Sequence, residues 1–361
     1  MALGQMGSLN ALEQVRMQRY WRRWIKDELP SADVFGDEFK EIICDDIRRV
    51  IRHVYSCLKR NKVLKPVYGG KIALIMDGHE MHSSYLRECD GCLERVVHKK
   101  RGDVKQKYHR CVMASLLCDG FCLPLDMEPQ KQGEDEVACA MRLLERIFKE
   151  YPRAFDLILA DGLYARAPFF KLALKHGKDV IAVLKDDRRD LFKDAKGLFK
   201  GQNPKVYQDG KVTKECWDIE NFTSWPQLGQ SVRVVRSVER KRIRRQKSKK
   251  IHFELSEWVW VSTLAKEKLG TENFIKFGHD RWKIENNGFN ELVNYWYADH
   301  VYCHHPVAIE GFWLMTMLAY TLFHAFIGRN LKPQIRNKHT KKHLAMLITA
   351  ELYSSEVFAP P

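Results

Sequence analysis

Carboxylates are in short supply in this 361-residue chain: 46 Asp and Glu stand against 61 Lys and Arg, for a net charge of +15. That shortage argues for a polyanionic partner, nucleic acid ahead of an anionic membrane surface. The first ten residues contain no charged segment followed by an apolar one, so no secretory leader is expected. The ten cysteines then read as reduced cytoplasmic thiols and not as a disulfide framework. No internal repeat is present, which excludes a solenoid. The one compositionally biased tract is a basic run. What is not scarce is apolar residues, at 45%, enough for a real core and too many for global disorder. The length exceeds the ~250–300 residues at which a single core stops growing, so a large domain with attached or inserted pieces is expected.

Residues 9–60 read as helical and are broken at Pro30. Within them "RMQRYWRRWIK" interleaves basic and aromatic residues; it could bind DNA, or pack on the core through Trp21 and Trp24. "KPVYGG", 65–70, reads as a linker. "KIALIMDG" is then a strand, 93–117 a hairpin, and 133–151 a helix with acids in its first turn, where the helix dipole favours them. "FDLILADG", the helix "APFFKLALKH" closed by Gly177, and "DVIAVLK" form a strand–helix–strand unit with parallel strands. Residues 186–254 break this rhythm and read as a β-rich insertion. A strand at 257–264 and one helix at 271–296 follow. The apolar segment 307–328 is long enough to cross a bilayer, but it carries Glu310 and His324 and reads as a buried core helix. The expected division is a helical module at 1–65, a discontinuous α/β core at 66–185 and 255–345, the insertion at 186–254 and a tail at 346–361.

Two apolar strands end on an acid followed by glycine: Asp77 in "LIMDGHE" and Asp161 in "LILADG". Each could be a turn residue. If the strands are neighbours, however, the two carboxylates lie side by side. Glu285 shares a helical face with Phe289, Leu292 and Trp296, and Arg281 lies one turn earlier on that face. Two carboxylates ~4 Å apart at an effective dielectric of ~20 repel by about 4 kcal/mol, or about three pKa units. A hard divalent cation removes that conflict, and Mg2+ prefers carboxylate oxygens and phosphates. The competing reading is a structural ion pair between Glu285 and Arg281. His79 and Glu80 are close enough to Asp77 to line such a site.

The segments "LIMDGHE", "LILADGLYARAPFFKLALKHGKDVIAVLK" and "GHDRWKIENNGFNELV" resemble DDE-type insertion-sequence transposases, in particular the insertion-sequence 4 superfamily. The resemblance covers roughly residues 70–330. It implies a ribonuclease-H-like mixed sheet flanked by helices, with a β-rich insertion before the last acid. It also implies that Asp77, Asp161 and Glu285 bind two Mg2+ or Mn2+ ions, with Arg281 beside them. The implied reaction is hydrolysis and strand transfer of double-stranded DNA, at element ends and target, by a homodimer. The implied setting is prokaryotic cytoplasm, nucleoid-associated when DNA is bound, with no membrane. The family's third motif carries a Tyr and a Lys where this chain has Gly278 and Leu292. The alternatives are a metal-dependent nuclease on the same fold without strand transfer, and a domesticated, non-catalytic DNA-binding protein.

The basic run at 236–250 holds nine Lys or Arg and one Glu. Arg240, Lys241, Arg242, Arg244, Arg245, Lys247, Lys249 and Lys250 are its candidate DNA contacts; a solvated loop is the plainer reading. If ~5 charges meet phosphates, log K falls against log[salt] with a slope of about −4 to −5. Finally, Cys89 and Cys92 form a C-x2-C knuckle that could hold a structural Zn2+ or be two free thiols. His82, His98, His109 and Cys111 are near enough in sequence to complete a tetrahedral site.

Overall fold

The computed structural model describes residues 7–18, 21, 25, 28–119, 121–185, 189–244 and 251–353. Helices α1 (Leu9–Val15), α2 (Ala32–Glu41) and α3 (Cys44–Arg60) precede strands β1 (Ala73–Ser84), β2 (Leu93–Lys99), β3 (Gly102–Cys118) and β4 (Phe121–Pro129). Next come α4 (Glu136–Glu150), β5 (Leu157–Ala160), α5 (Ala167–Lys175), β6 (Asp179–Val183) and α6 (Asp190–Lys200). Strands β7 (Lys205–Asp209), β8 (Val212–Phe222), β9 (Val232–Arg244) and β10 (Ile251–Ser262) follow. The chain then forms α7 (Thr271–Asp280), a π-helical turn (Ile284–Phe289), α8 (Asn290–Trp296), α9 (Pro306–Arg329), α10 (Pro333–Lys338) and α11 (Lys341–Leu352).

One mixed sheet contains the strands in the order β2-β3-β1-β5-β6-β10-β9-β8-β7, with β4 also paired to β3. β5 runs parallel to both β1 and β6, as the strand–helix–strand pattern requires. Its four residues, "LILA", are buried on both faces, the usual fate of a central parallel strand. Alternate side chains of β1 serve opposite cores. Leu74 and Met76 join Leu143, Ile147, Phe169 and Phe170 of α4 and α5. Ala73 and Ile75 join Phe274, Leu292, Trp313 and Tyr320 of α7, α8 and α9. The fold is therefore the expected mixed α/β sheet flanked by helices.

Several expectations change on inspection. β1 does not stop at Asp77, as expected, but runs on to Ser84, with Asp77 paired opposite Met113 of β3. The expected β-rich stretch after β6 is present, and its strands extend the main sheet: β10 pairs antiparallel with β6, Trp260 opposite Val183, and so attaches β7–β9 to it. β10 also runs across the expected edge at 254. The single helix expected at 271–296 is interrupted by the π-helical turn. Residues 346–352, expected in a tail, are the second half of α11.

In α9 Glu310 and His324 both have partners inside the chain. Glu310 bonds Arg48, which also reaches Asp126 at 2.9 Å. His324 Nε2 lies 3.0 Å from Glu291. By length and composition α9 could cross a membrane, yet most of its apolar window is buried inside this fold. In the N-terminal segment Trp21 meets Tyr353 edge-on at 5.9 Å and donates to the Val15 carbonyl. Trp24 lies outside the described residues.

Candidate active site

The register of β1 on β5 aligns Ala73 with Leu157, Leu74 with Ile158 and Ile75 with Leu159. Two residues further on stand Asp77, inside β1, and Asp161, the first residue past β5, so the two acids lie side by side on neighbouring strands ~4.8 Å apart. Asp161 uses one oxygen to cap the following turn, accepting from the Leu163 N–H at 2.8 Å. Asp77 Oδ1 accepts from the Gly78 N–H at 3.0 Å. The turn reading holds for Asp161 but not for Asp77, which lies inside β1; in each acid one oxygen is engaged by a backbone N–H.

Arg281 joins Asp77 to Glu285. Its Nη1 donates to Asp77 Oδ2 at 2.9 Å and lies 3.0 Å from Glu285 Oε1. Arg281 is only 5% exposed. Glu285, by contrast, is 37% exposed at its side chain, while Phe289, Leu292 and Trp296 are buried. The expectation that all four share one buried stripe fails at Glu285. The Asn290 N–H bonds the Glu285 carbonyl five residues back, and a π turn of this kind shifts the phase of the helix. Glu285 is left on the rim of the cleft, within reach of Arg281. Such turns recur at functional sites.

Burial pushes the Asp77 carboxyl up to about 7; Arg281 opposes this, while Glu285 and Asp161 add to it. One guanidinium therefore serves two carboxylates, Asp77 and Glu285, while Asp161 adds its charge nearby. Among the described residues these acids do not close into a group with all ligand atoms within 4.8 Å of one another; Asp77 and Glu285 are bridged by Arg281. A cleft of about 460 Å3 is lined by Asp77, Gly78, His79, Glu285, Phe289 and Asn290, with Val293 and Asn294 at its edge. A larger cleft of about 760 Å3, near Lys62, Arg329 and Lys341, includes none of the three acids.

His79 and Glu80 point to opposite faces of β1. His79 stacks on Phe289 at 4.4 Å and lines the acid cleft. Burial pushes its imidazole down to about 4, and its buried Nε2 has no hydrogen-bond partner. Glu80 is engaged by Arg95 at 2.6 and 2.8 Å and does not line the cleft. Sequence reasoning missed what lies behind Gly78. A Cβ there would come within 2.3 Å of the Glu136 carboxyl carbon, and Glu136 accepts from Arg110 at 2.7 Å and from the Tyr164 hydroxyl at 2.8 Å. A Cβ on Gly162 would come within 3.2 Å of the Val183 carbonyl. The repeated Asp-Gly thus has a steric cause, legible in hindsight from the recurrence itself. Gly278 is explained in the same way: a Cβ would come within 2.5 Å of the Trp260 indole, so no tyrosine fits there. Leu292, in the family's lysine position, is wholly buried.

Of the basic run, Arg240, Lys241 and Arg242 are exposed on β9, beside exposed Phe253 and Leu255 on β10. Arg244 ends β9 opposite Ile251. Arg245, Lys247, Lys249 and Lys250 lie outside the described residues. Cys89 and Cys92 meet His109, one of the expected candidates, and His304, which was not expected. His98 instead sits on Asp103 at 2.7 Å, and neither His82 nor Cys111 joins the group.

A helix-flanked mixed sheet that brings Asp77 of β1, Asp161 just past β5 and Glu285 of the π-helical turn near one another defines an α/β protein with an acid-cluster site. Residues 69–322 match the Transposase DDE domain family, and the chain belongs to that family. Among solved structures it is similar to the piggyBac transposase synaptic complex with hairpin DNA, determined by cryo-EM. The identity is 10% and the TM-score 0.43, over 98% of this chain and 78% of that one. No curated protein matches.

Proposed function

We propose that the chain is a DNA transposase that hydrolyses phosphodiesters at insertion-sequence ends and joins the freed strand to target DNA. Membership in the Transposase DDE domain family supports the enzyme class. The assignment of residues is carried by one observation: a single Arg281 nitrogen contacts both Asp77 and Glu285, with Asp161 in register beside Asp77. The strand order β4-β3-β1-β5-β6, in which β5 and β6 are parallel to β1 and β3 is antiparallel to it, supports a ribonuclease-H-like core.

The donor set suits two Mg2+ or Mn2+ ions. It consists of hard carboxylate oxygens, and the acids repel strongly enough to help hold Asp77 near 7. Asp77, Asp161 and Glu285 would hold the ions, whose contribution would be to activate the attacking oxygen and neutralise the leaving one. Arg281 orients the Asp77 and Glu285 carboxylates and limits their repulsion. The His79 imidazole, kept neutral by burial, forms part of the cleft wall beside Phe289. The exposed Arg240, Lys241 and Arg242 supply sequence-independent attraction to phosphates. The working form is a homodimer on double-stranded DNA in the cytoplasm.

The test is incubation of supercoiled plasmid and end-bearing DNA with Mg2+, comparing the natural chain with Asp161→Asn. Nicking and end-joining should occur with the former alone. Nicking without joining would leave a nuclease. Equal nicking by both proteins would overturn the assignment of the acids.

A further inference from the structure

Cys89 and Cys92 lie in the connection between β1 and β2, His109 lies on β3, and His304 stands two residues before α9. The two sulfurs are 3.8 Å apart. His109 Nε2 lies 3.3 Å from Cys89 Sγ and 3.2 Å from Cys92 Sγ, and His304 Nε2 is 3.8 Å from Cys92 Sγ. All four atoms fall within 4.8 Å of one another. A tetrahedron with Zn–S of ~2.3 Å and Zn–N of ~2.0–2.1 Å has S···S edges of about 3.8 Å and S···N edges of about 3.5 Å. The sulfurs are much too far apart for a disulfide, whose S–S length is ~2.05 Å. The knuckle is also seated on the element that carries the fourth ligand: a Cβ on Gly91 would come within 3.0 Å of the Pro306 ring.

We propose that Cys89, Cys92, His109 and His304 bind one structural Zn2+. Two thiolates and two imidazoles select zinc over the hard cations suited to carboxylates. Four protein ligands leave no open position for substrate, so the ion braces the fold and takes no part in the chemistry. It ties the β1–β2 turn and β3 to residues 297–305, the segment that joins α8 to α9. β1 carries Asp77, and the π-helical turn that leads into α8 carries Glu285, so the ion clamps the chain downstream of both acids together. The inference stands whether or not the chain cleaves DNA.

The test is elemental analysis of the full chain purified without chelator, followed by replacement of the metal with Co2+. One zinc per chain is expected, together with a thiolate-to-cobalt charge-transfer band. His304→Ala and Cys92→Ser should each lose the metal, whereas His98→Ala and Asp77→Asn should keep it. If Cys92→Ser fails to fold, the cobalt spectrum of the natural chain still decides whether thiolates ligate. A natural chain without zinc and without the charge-transfer band would overturn the site. Full zinc retention by His304→Ala would overturn the ligand set.

Discussion

Replacing Asp77 with Asn should make the metal-free protein more stable at pH 8 while abolishing DNA cleavage. Asp77 is 9% exposed, and its carboxyl is pushed from the usual 3.8 to about 7 by burial, Glu285 and Asp161, against the pull of Arg281. Because its folded pKa lies above its unfolded one, between about pH 3.8 and 7 the folded chain holds a proton that the unfolded chain has lost. The contribution of this group to stability is intact below about pH 3.8. It declines as pH rises toward about 7 and stays at its lowered level above that. At ~1.4 kcal/mol per pH unit the whole effect is about 4 kcal/mol. Asn imitates the protonated acid, so a gain of about 2–4 kcal/mol is expected at pH 8 and little at pH 4. With an unfolding entropy of ~2.1 cal/mol/K per residue, this is a rise of roughly 3–5 °C in Tm for a chain of this length. Thermal melts of both proteins in EDTA, at steps from pH 4 to pH 8.5, should show a Tm difference that grows with pH and levels off near pH 7. Added Mg2+ should raise the Tm of the natural chain more than that of Asp77→Asn, because binding to the folded state alone stabilises it. The reasoning is refuted if Asp77→Asn is less stable than the natural chain at pH 8 in EDTA. The Arg281 ion pair would then outweigh burial and repulsion together, and the acid would need no cation.

Gly278→Ala should lower stability by about 1–3 kcal/mol through overpacking. Its new Cβ would meet the Trp260 indole at 2.5 Å, and Trp260 is 1% exposed. Gly197→Ala on α6, with nothing within 4 Å, should be neutral or stabilising by up to ~1 kcal/mol in the same melts. Replacing Arg240, Lys241 and Arg242 together by Ala should flatten the slope of log K against log[salt] for duplex DNA by about 3; fluorescence anisotropy measures it, and an unchanged slope would assign those charges to solvent.

Much of this protein was legible in its sequence. Unbroken apolar runs mark the start of β1, the strand leading to Asp161, the parallel unit β5–α5–β6 and the buried character of α9, because such runs belong to elements buried on every side. Tertiary structure decided matters of adjacency. Only the neighbouring register of β1 and β5 levels the two aspartates, and only the π turn sets Glu285 on the rim. The joining of β10 to β6 was likewise invisible along the chain. The reason is the same for His304, which reaches Cys92 across 212 positions: local spacing reports the face a residue presents, and long-range packing decides what meets it there.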